Sequence, residues 1–310
     1  MEKRLSMSDY VLVLVFIFMF FCIIGAFFFG LQMGKDKTEQ KYELMLEEKQ
    51  DSGAAAASSL NAYDQQQFIS FYHMVYEPYR EFQNKWFDEL EQLDQNSKAE
   101  DITAALKSVK GESQNTYAKL KQLTASPSSP LLISSQELYM KSLQQFTSAM
   151  DELMKLKWEG KAPADTIHAN QALMEAQRSA LNAEASFYEA ITKWHERYEY
   201  RIEDIDLMNK QNLTIEEWNK LAFNYKNAYI AVYMKEHQMY KAYAVHDVTA
   251  QIDLLLSTQG AEAFHWSNVS QAITMVENTR SVRAGDFKAN KARLFKDELF
   301  VDIPLFTSAD

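Results

Sequence analysis

Six histidines, His73, His168, His195, His237, His246 and His265, and one cysteine, Cys22, are the side chains best suited to ligate a metal or attack a substrate near neutral pH. Their spacing offers little chemistry. A carboxylate-bridged two-metal site in a helical bundle needs a Glu-x-x-His pair on each of two helices and a Glu from two more, all directed inward. The chain supplies Glu262-x-x-His265 and an acidic near-copy, Asp165-x-x-His168. Glu262 and His265 are therefore the metal candidates, but the set is incomplete and no cofactor is expected. There is no Gly-x-Ser-x-Gly elbow and no glycine-rich phosphate loop, and no thiol follows Cys22. No catalytic residue is expected, and the chain is read as a non-enzyme.

Charge offers more than nucleophilicity. Arg280, Arg283, Lys288, Lys291, Arg293 and Lys296 fall in one short run with only Asp286 as an internal counter-charge, in a chain of net charge −11. This run is a candidate anion surface, fitted to an anionic envelope polymer or to lipid headgroups; the plainer alternative is a solvated helix face or contact with the acidic body. The acidic balance elsewhere excludes a general nucleic-acid binder, which needs a basic surface to displace counterions from phosphates. Asn212-Leu213-Thr214 and Asn268-Val269-Ser270 have the form of glycosylation sequons, which matter only in a eukaryotic secretory pathway.

The elements that position these residues start with an oily one. Val11 to Leu31 reads VLVLVFIFMFFCIIGAFFFGL without a charge, and at helical rise it spans roughly 30 Å, the thickness of bilayer hydrocarbon. It is longer than a cleaved signal segment and leads into Leu31-Gln32-Met33 rather than small residues, so an uncleaved anchor over 11–33 is expected, after a short tail, 1–10. Lys3 and Arg4 precede the span, while Lys35, Lys37, Lys41 and Lys49 follow it, which alone would keep the body in the cytoplasm. Long domains translocate regardless of such charges, and the absence of cysteine beyond Cys22 suits an exposed compartment. The expected location is the cell membrane, single-pass, with the C-terminal body extracytoplasmic.

Cys22, Ala26, Gly30 and Gly34 recur at intervals of four and so form one ridge of small side chains along the anchor helix. Membrane helices associate through close backbone packing, and such a ridge permits it. Self-association or pairing with a partner's membrane helix is expected there.

Only 8 glycines and 5 prolines punctuate 310 residues, and 47% of the chain is hydrophobic, which implies long helices, few connections and a sizeable core. The expected fold is all-α: a single transmembrane helix, then an elongated antiparallel helical bundle or coiled coil. Residues 34–60 read as a charged and small-residue stalk, 61–296 as the body with a break near 126–130, and 297–310 as an apolar extended tail. Within the body, Phe68, Tyr72, Val75, Tyr79, Phe82, Trp86 and Leu93 mark one face of a helix that Pro78 should kink or divide. Ser97 with Glu100 forms a capping-box pattern for a helix reaching about Leu123. Pro130 opens the next helix, which runs until WEGKAP at 158–163.

One long helix is then expected from about Ala164 to Met208, with Phe187, Ile191, Trp194, Tyr198, Ile202 and Ile205 on one face. Thr214 and Glu217 form a second capping box, flanked by Leu213 and Trp218 as the staple, and open a helix expected to reach about Thr258. It carries Tyr225, Tyr229, Tyr233, Tyr240 and Tyr243. A last helix is expected from about Ser267 to Arg283.

The functional expectation is a membrane-anchored interaction or scaffold protein of a cell envelope, with the lipid bilayer and a protein partner as its contacts. The alternative is a membrane-tethered, ligand-binding sensory ectodomain that signals through a partner, because roughly ten residues before the span leave no room for a cytoplasmic output domain.

Overall fold

The computed structural model describes residues 63–123, 126–158, 162–198, 212–258 and 260–307, all of which fall in one compact unit, Ala62–Asp310. The anchor at 11–33, the ridge of Cys22, Ala26, Gly30 and Gly34, and the stalk at 34–60 lie outside the described residues. Among the described residues no helix is long and apolar enough to cross a membrane.

The described residues form an all-α bundle. The helices are α1 (Gln65–Phe71), α2 (Glu77–Glu91), α3 (Ala99–Leu120), α4 (Pro130–Leu153), α5 (Pro163–His168), α6 (Gln171–His195), α7 (Ile215–Lys220), α8 (Phe223–Glu236), α9 (Val245–Thr258), α10 (Gly260–Ala263), α11 (Val269–Asn278), α12 (Asp286–Leu294) and α13 (Pro304–Thr307). One isolated antiparallel bridge joins Thr214 to Asn268.

Cross-helix hydrogen bonds give the directions. Lys110 reaches Asp151, Ser113 meets Thr147 and Gln136 reaches the Leu120 carbonyl, so α3 and α4 run antiparallel. Ser135 donates to the Ala183 carbonyl, Ser142 to that of Ala176 and Asn170 to Glu152, so α4 and α6 do as well. Serine suits these contacts because a small side chain lets two backbones approach while its hydroxyl satisfies a carbonyl. Phe187 stacks on Phe71 and Tyr76, with centroids 5.4 and 4.7 Å apart, which fastens α6 to the first helices.

Several boundaries differ from expectation, each for a local reason. Pro78 does not divide its helix: Tyr72–Tyr76 form a π-helical turn in which the Glu77 N–H bonds the Tyr72 carbonyl, and the chain continues from α1 into α2. The widened turn makes room for the proline ring and its missing N–H. Ser97 does not cap α3. Its hydroxyl serves the preceding turn at Asp94, and the Asp101 carboxylate instead accepts from the Lys98 N–H.

The long helix expected from Ala164 is interrupted at Ala169–Asn170, where Asn170 accepts from the Leu173 N–H and caps α6. It ends at His195, while Ile202 and Ile205 lie outside the described residues. The helix expected from Thr214 to Thr258 is three helices. Leu221 is extended because Phe223 is drawn into a cluster with Phe287, Phe295, Phe300 and Phe306. Gln238, at φ 55°, turns the chain so that Tyr240 enters the core against Phe87 and Phe146. Tyr240 and Tyr243 thus sit in a connection rather than on a helix. Aromatic burial outweighed helix propensity at both points.

The helix expected at 267–283 is shorter, Val269–Asn278, and α12 follows it. Within 297–307, Val301, Ile303 and Phe306 are buried and Pro304 opens α13, so this stretch is packed onto the body as part of its core.

Candidate functional site

The basic run occupies the connection after α11, α12 itself and the turn that follows it. The Asp247 carboxylate organises it: Oδ1 accepts from the N–H groups of Gly285 (3.2 Å) and Phe287 (3.1 Å), and Oδ2 from that of Ala244 (3.0 Å). Gly285, at φ 95°, makes the left-handed turn that presents those donors. Phe287 then anchors α12 in the phenylalanine cluster. This placement leaves Arg280, Arg283, Lys288, Arg293 and Lys296 exposed.

Lys291 differs from the rest. It is half-buried, its Nζ donates to the Phe306 carbonyl at 2.6 Å and it lies 5.1 Å from the centroid of the Phe300 ring. It is occupied inside the molecule. The nearby acids are largely committed: Asp286 accepts from the Arg283 N–H, Glu277 from Lys241 and Tyr243, and Asp297 lies 3.8 Å from Lys296.

A second constellation lies in the core. Tyr76, Tyr79, Tyr139, Tyr188 and Tyr240 surround the half-buried Arg80 and the buried Glu184. Arg80 donates to Gln83 Oε1 (2.6 Å) and to the Ala242 carbonyl (2.8 Å), which ties α2 to the loop that carries Tyr240. Tyr79 Oη meets Ser142 Oγ at 2.8 Å. Tyr188 Oη lies 3.0 Å from His246 Nδ1.

Burial pushes the Glu184 carboxyl above the ordinary carboxylate range, with Arg80 pulling the other way. Burial likewise drives His246 down to about 4, so the ring is neutral at pH 7 and shares a hydrogen bond with Tyr188 through Nδ1. Tyr76 Oη and Glu184 Oε1 lie beside each other yet have no partner within hydrogen-bond geometry. The network joins α2, α4, α6 and the 237–244 connection, and its reach is structural.

A third feature is an open cleft of about 590 Å³ lined by Asn219, Lys226, Asp253, Ser257, Glu262 and Leu294 among others. Lys226 Nζ pairs with Asp253 Oδ2 at 2.9 Å, Asp253 Oδ1 accepts from Trp218 Nε1 at 2.6 Å, and Lys226 sits 5.3 Å from the centroid of the Trp218 ring. This largely buried ion pair forms the wall of the cleft.

The metal candidates are not assembled. Glu262 is in the four-residue α10, and His265 follows it, exposed and with φ 56°. Asp165 and His168 lie on α5. Among the described residues no group of three His, Cys, Asp or Glu side chains could hold a metal ion. Asn268 of the second sequon is a helix cap, accepting from the Gln271 N–H at 3.1 Å and from Ser270 Oγ at 2.6 Å.

Sequence reasoning identified the basic run but missed Asp247, Arg80 and Glu184. A buried acid reads like any other in an acidic chain, and only the paired helices reveal it. A scan against protein-family models and searches of curated proteins and solved structures find no match to this chain.

Proposed function

We propose that the chain is a single-pass membrane protein of a cell envelope, whose helical body, held outside the cytoplasm, is a non-enzymatic interaction scaffold. The observation that carries the reading is the uncharged run from Val11 to Leu31, long enough to cross bilayer hydrocarbon. The body supports it through what its reactive residues do. Asp247 caps α12, Asp253 pairs with Lys226, and His246 is bonded to Tyr188, so these groups serve packing. Confinement to a bilayer raises the effective concentration of such a body for its partners without new contacts. Cys22, Ala26, Gly30 and Gly34 give the anchor its pairing ridge.

Crosslinking of the intact chain in detergent micelles tests this. A discrete complex, weakened by Gly30→Leu with Gly34→Leu, is the expected outcome; a strict monomer would count against it. The cleft beside Lys226 and Asp253 favours a second reading, a ligand-binding sensory body. In that case a small molecule would raise the melting temperature of the protein, and no partner would be needed for the effect.

A further inference from the structure

We propose that the exposed cations around α12 are a docking surface for anionic lipid headgroups of the bilayer that holds the anchor. The inference rests on the anchored reading above and adds how the body sits on the membrane. Arg280, Arg283, Lys288, Arg293 and Lys296 are all exposed within one short stretch of a chain of net charge −11, with Asp297 3.8 Å from Lys296 as a counter-charge. Lys291 turns inward instead and holds the Phe306 carbonyl and the Phe300 ring.

Between those two positions, Asp302 exchanges a pair of hydrogen bonds with the side chain of Gln65: Gln65 Nε2 donates to its carbonyl at 2.6 Å, and its N–H donates to Gln65 Oε1 at 3.1 Å. Gln65 opens the first helix of the body, three residues after the chain enters the compact unit at Ala62. The cationic helix is thus linked, through one short segment, to the first helix of the body.

Headgroup phosphates carry the complementary charge, and each Lys or Arg near an anionic surface adds about fivefold in membrane affinity.

The test reconstitutes the full chain in nanodiscs of phosphatidylcholine alone, or of equal parts phosphatidylcholine and phosphatidylglycerol, and follows backbone hydrogen exchange from Arg280 to Lys296. The expected result is exchange slowed about tenfold or more in the anionic discs. At ~1 M salt, where the Debye length is about 3 Å, the protection should vanish. A variant with Arg280→Gln, Arg283→Gln, Lys288→Gln, Arg293→Gln and Lys296→Gln should lack it. A control with Lys107→Gln, Lys119→Gln, Lys121→Gln, Lys141→Gln and Lys155→Gln, all exposed, changes net charge equally and should keep it.

Equal exchange in both kinds of disc, with the chain co-eluting with them, would overturn the docking surface and leave the anchor standing. So would protection by soluble polyphosphate in phosphatidylcholine discs without protection by phosphatidylglycerol, which would assign the cations to an envelope polymer. A chain that fails to enter the discs would remove the anchor and the docking together.

Discussion

His246 is the residue whose protonation bears most directly on stability. Desolvation lowers its folded value to about 4, with Arg80 and Lys288 acting in the same direction and Asp247 against. In the unfolded chain the ring takes up its proton near pH 6.5, so between about 6.5 and about 4 the unfolded state binds more protons. Stability should fall as pH drops through that window, by up to roughly 3 kcal/mol at its lower end. Urea unfolding of wild type and His246→Gln at pH 7 and pH 4.5 isolates the effect; the variant should lose less stability over that interval. Arg80 makes the complementary case. Arg80→Leu removes two hydrogen bonds and leaves Glu184 without its nearest positive charge, which should cost about 3 kcal/mol. Adding Glu184→Leu should recover more than half of that loss, and purely additive losses in denaturant unfolding would show that the two residues are not coupled. Neither residue was legible in the sequence, because their importance comes from five tyrosines that converge from four segments far apart in the chain.

At the scale of elements, the Thr214–Glu217 box was read from the sequence and caps its helix, whereas the Ser97–Glu100 pattern caps nothing and the caps at Asn170 and Asn268 went unread. Thr214 with Glu217 caps α7 and Asn268 with Gln271 caps α11, and the two boxes lie back to back: the Ile215 N–H bonds the Ser267 carbonyl and the Val269 N–H bonds that of Leu213. Thr214→Ala and Asn268→Ala should each cost about 1 kcal/mol in urea unfolding. Gly111 is the opposite case, a glycine within α3 at which an added Cβ would meet nothing within 4 Å. Gly111→Ala should stabilise by about 0.5–1 kcal/mol, read as a higher denaturation midpoint. Pro130 opened its helix as the sequence implied, whereas Pro78 sat within a continuous one, since a π-turn is a backbone accommodation that hydrophobic spacing does not encode. The helix lengths after residue 164 were over-read for a related reason. Periodicity continued through Leu221 and Tyr240, but the aromatic cluster into which the chain turned is assembled from distant residues.

For the whole molecule, composition alone fixed the class: few glycines and prolines with abundant apolar residues gave an all-helical bundle, and the described residues are one. The function proposed for it depends on the uncharged run from Val11 to Leu31, long enough at helical rise to cross bilayer hydrocarbon. The most direct measurement is alkaline carbonate extraction of membranes from cells that express the full chain. Anchoring predicts that the protein stays in the pellet until detergent is added, and that Phe18→Arg with Ile23→Arg releases it. Recovery of the unmodified chain in the carbonate supernatant would contradict the anchor.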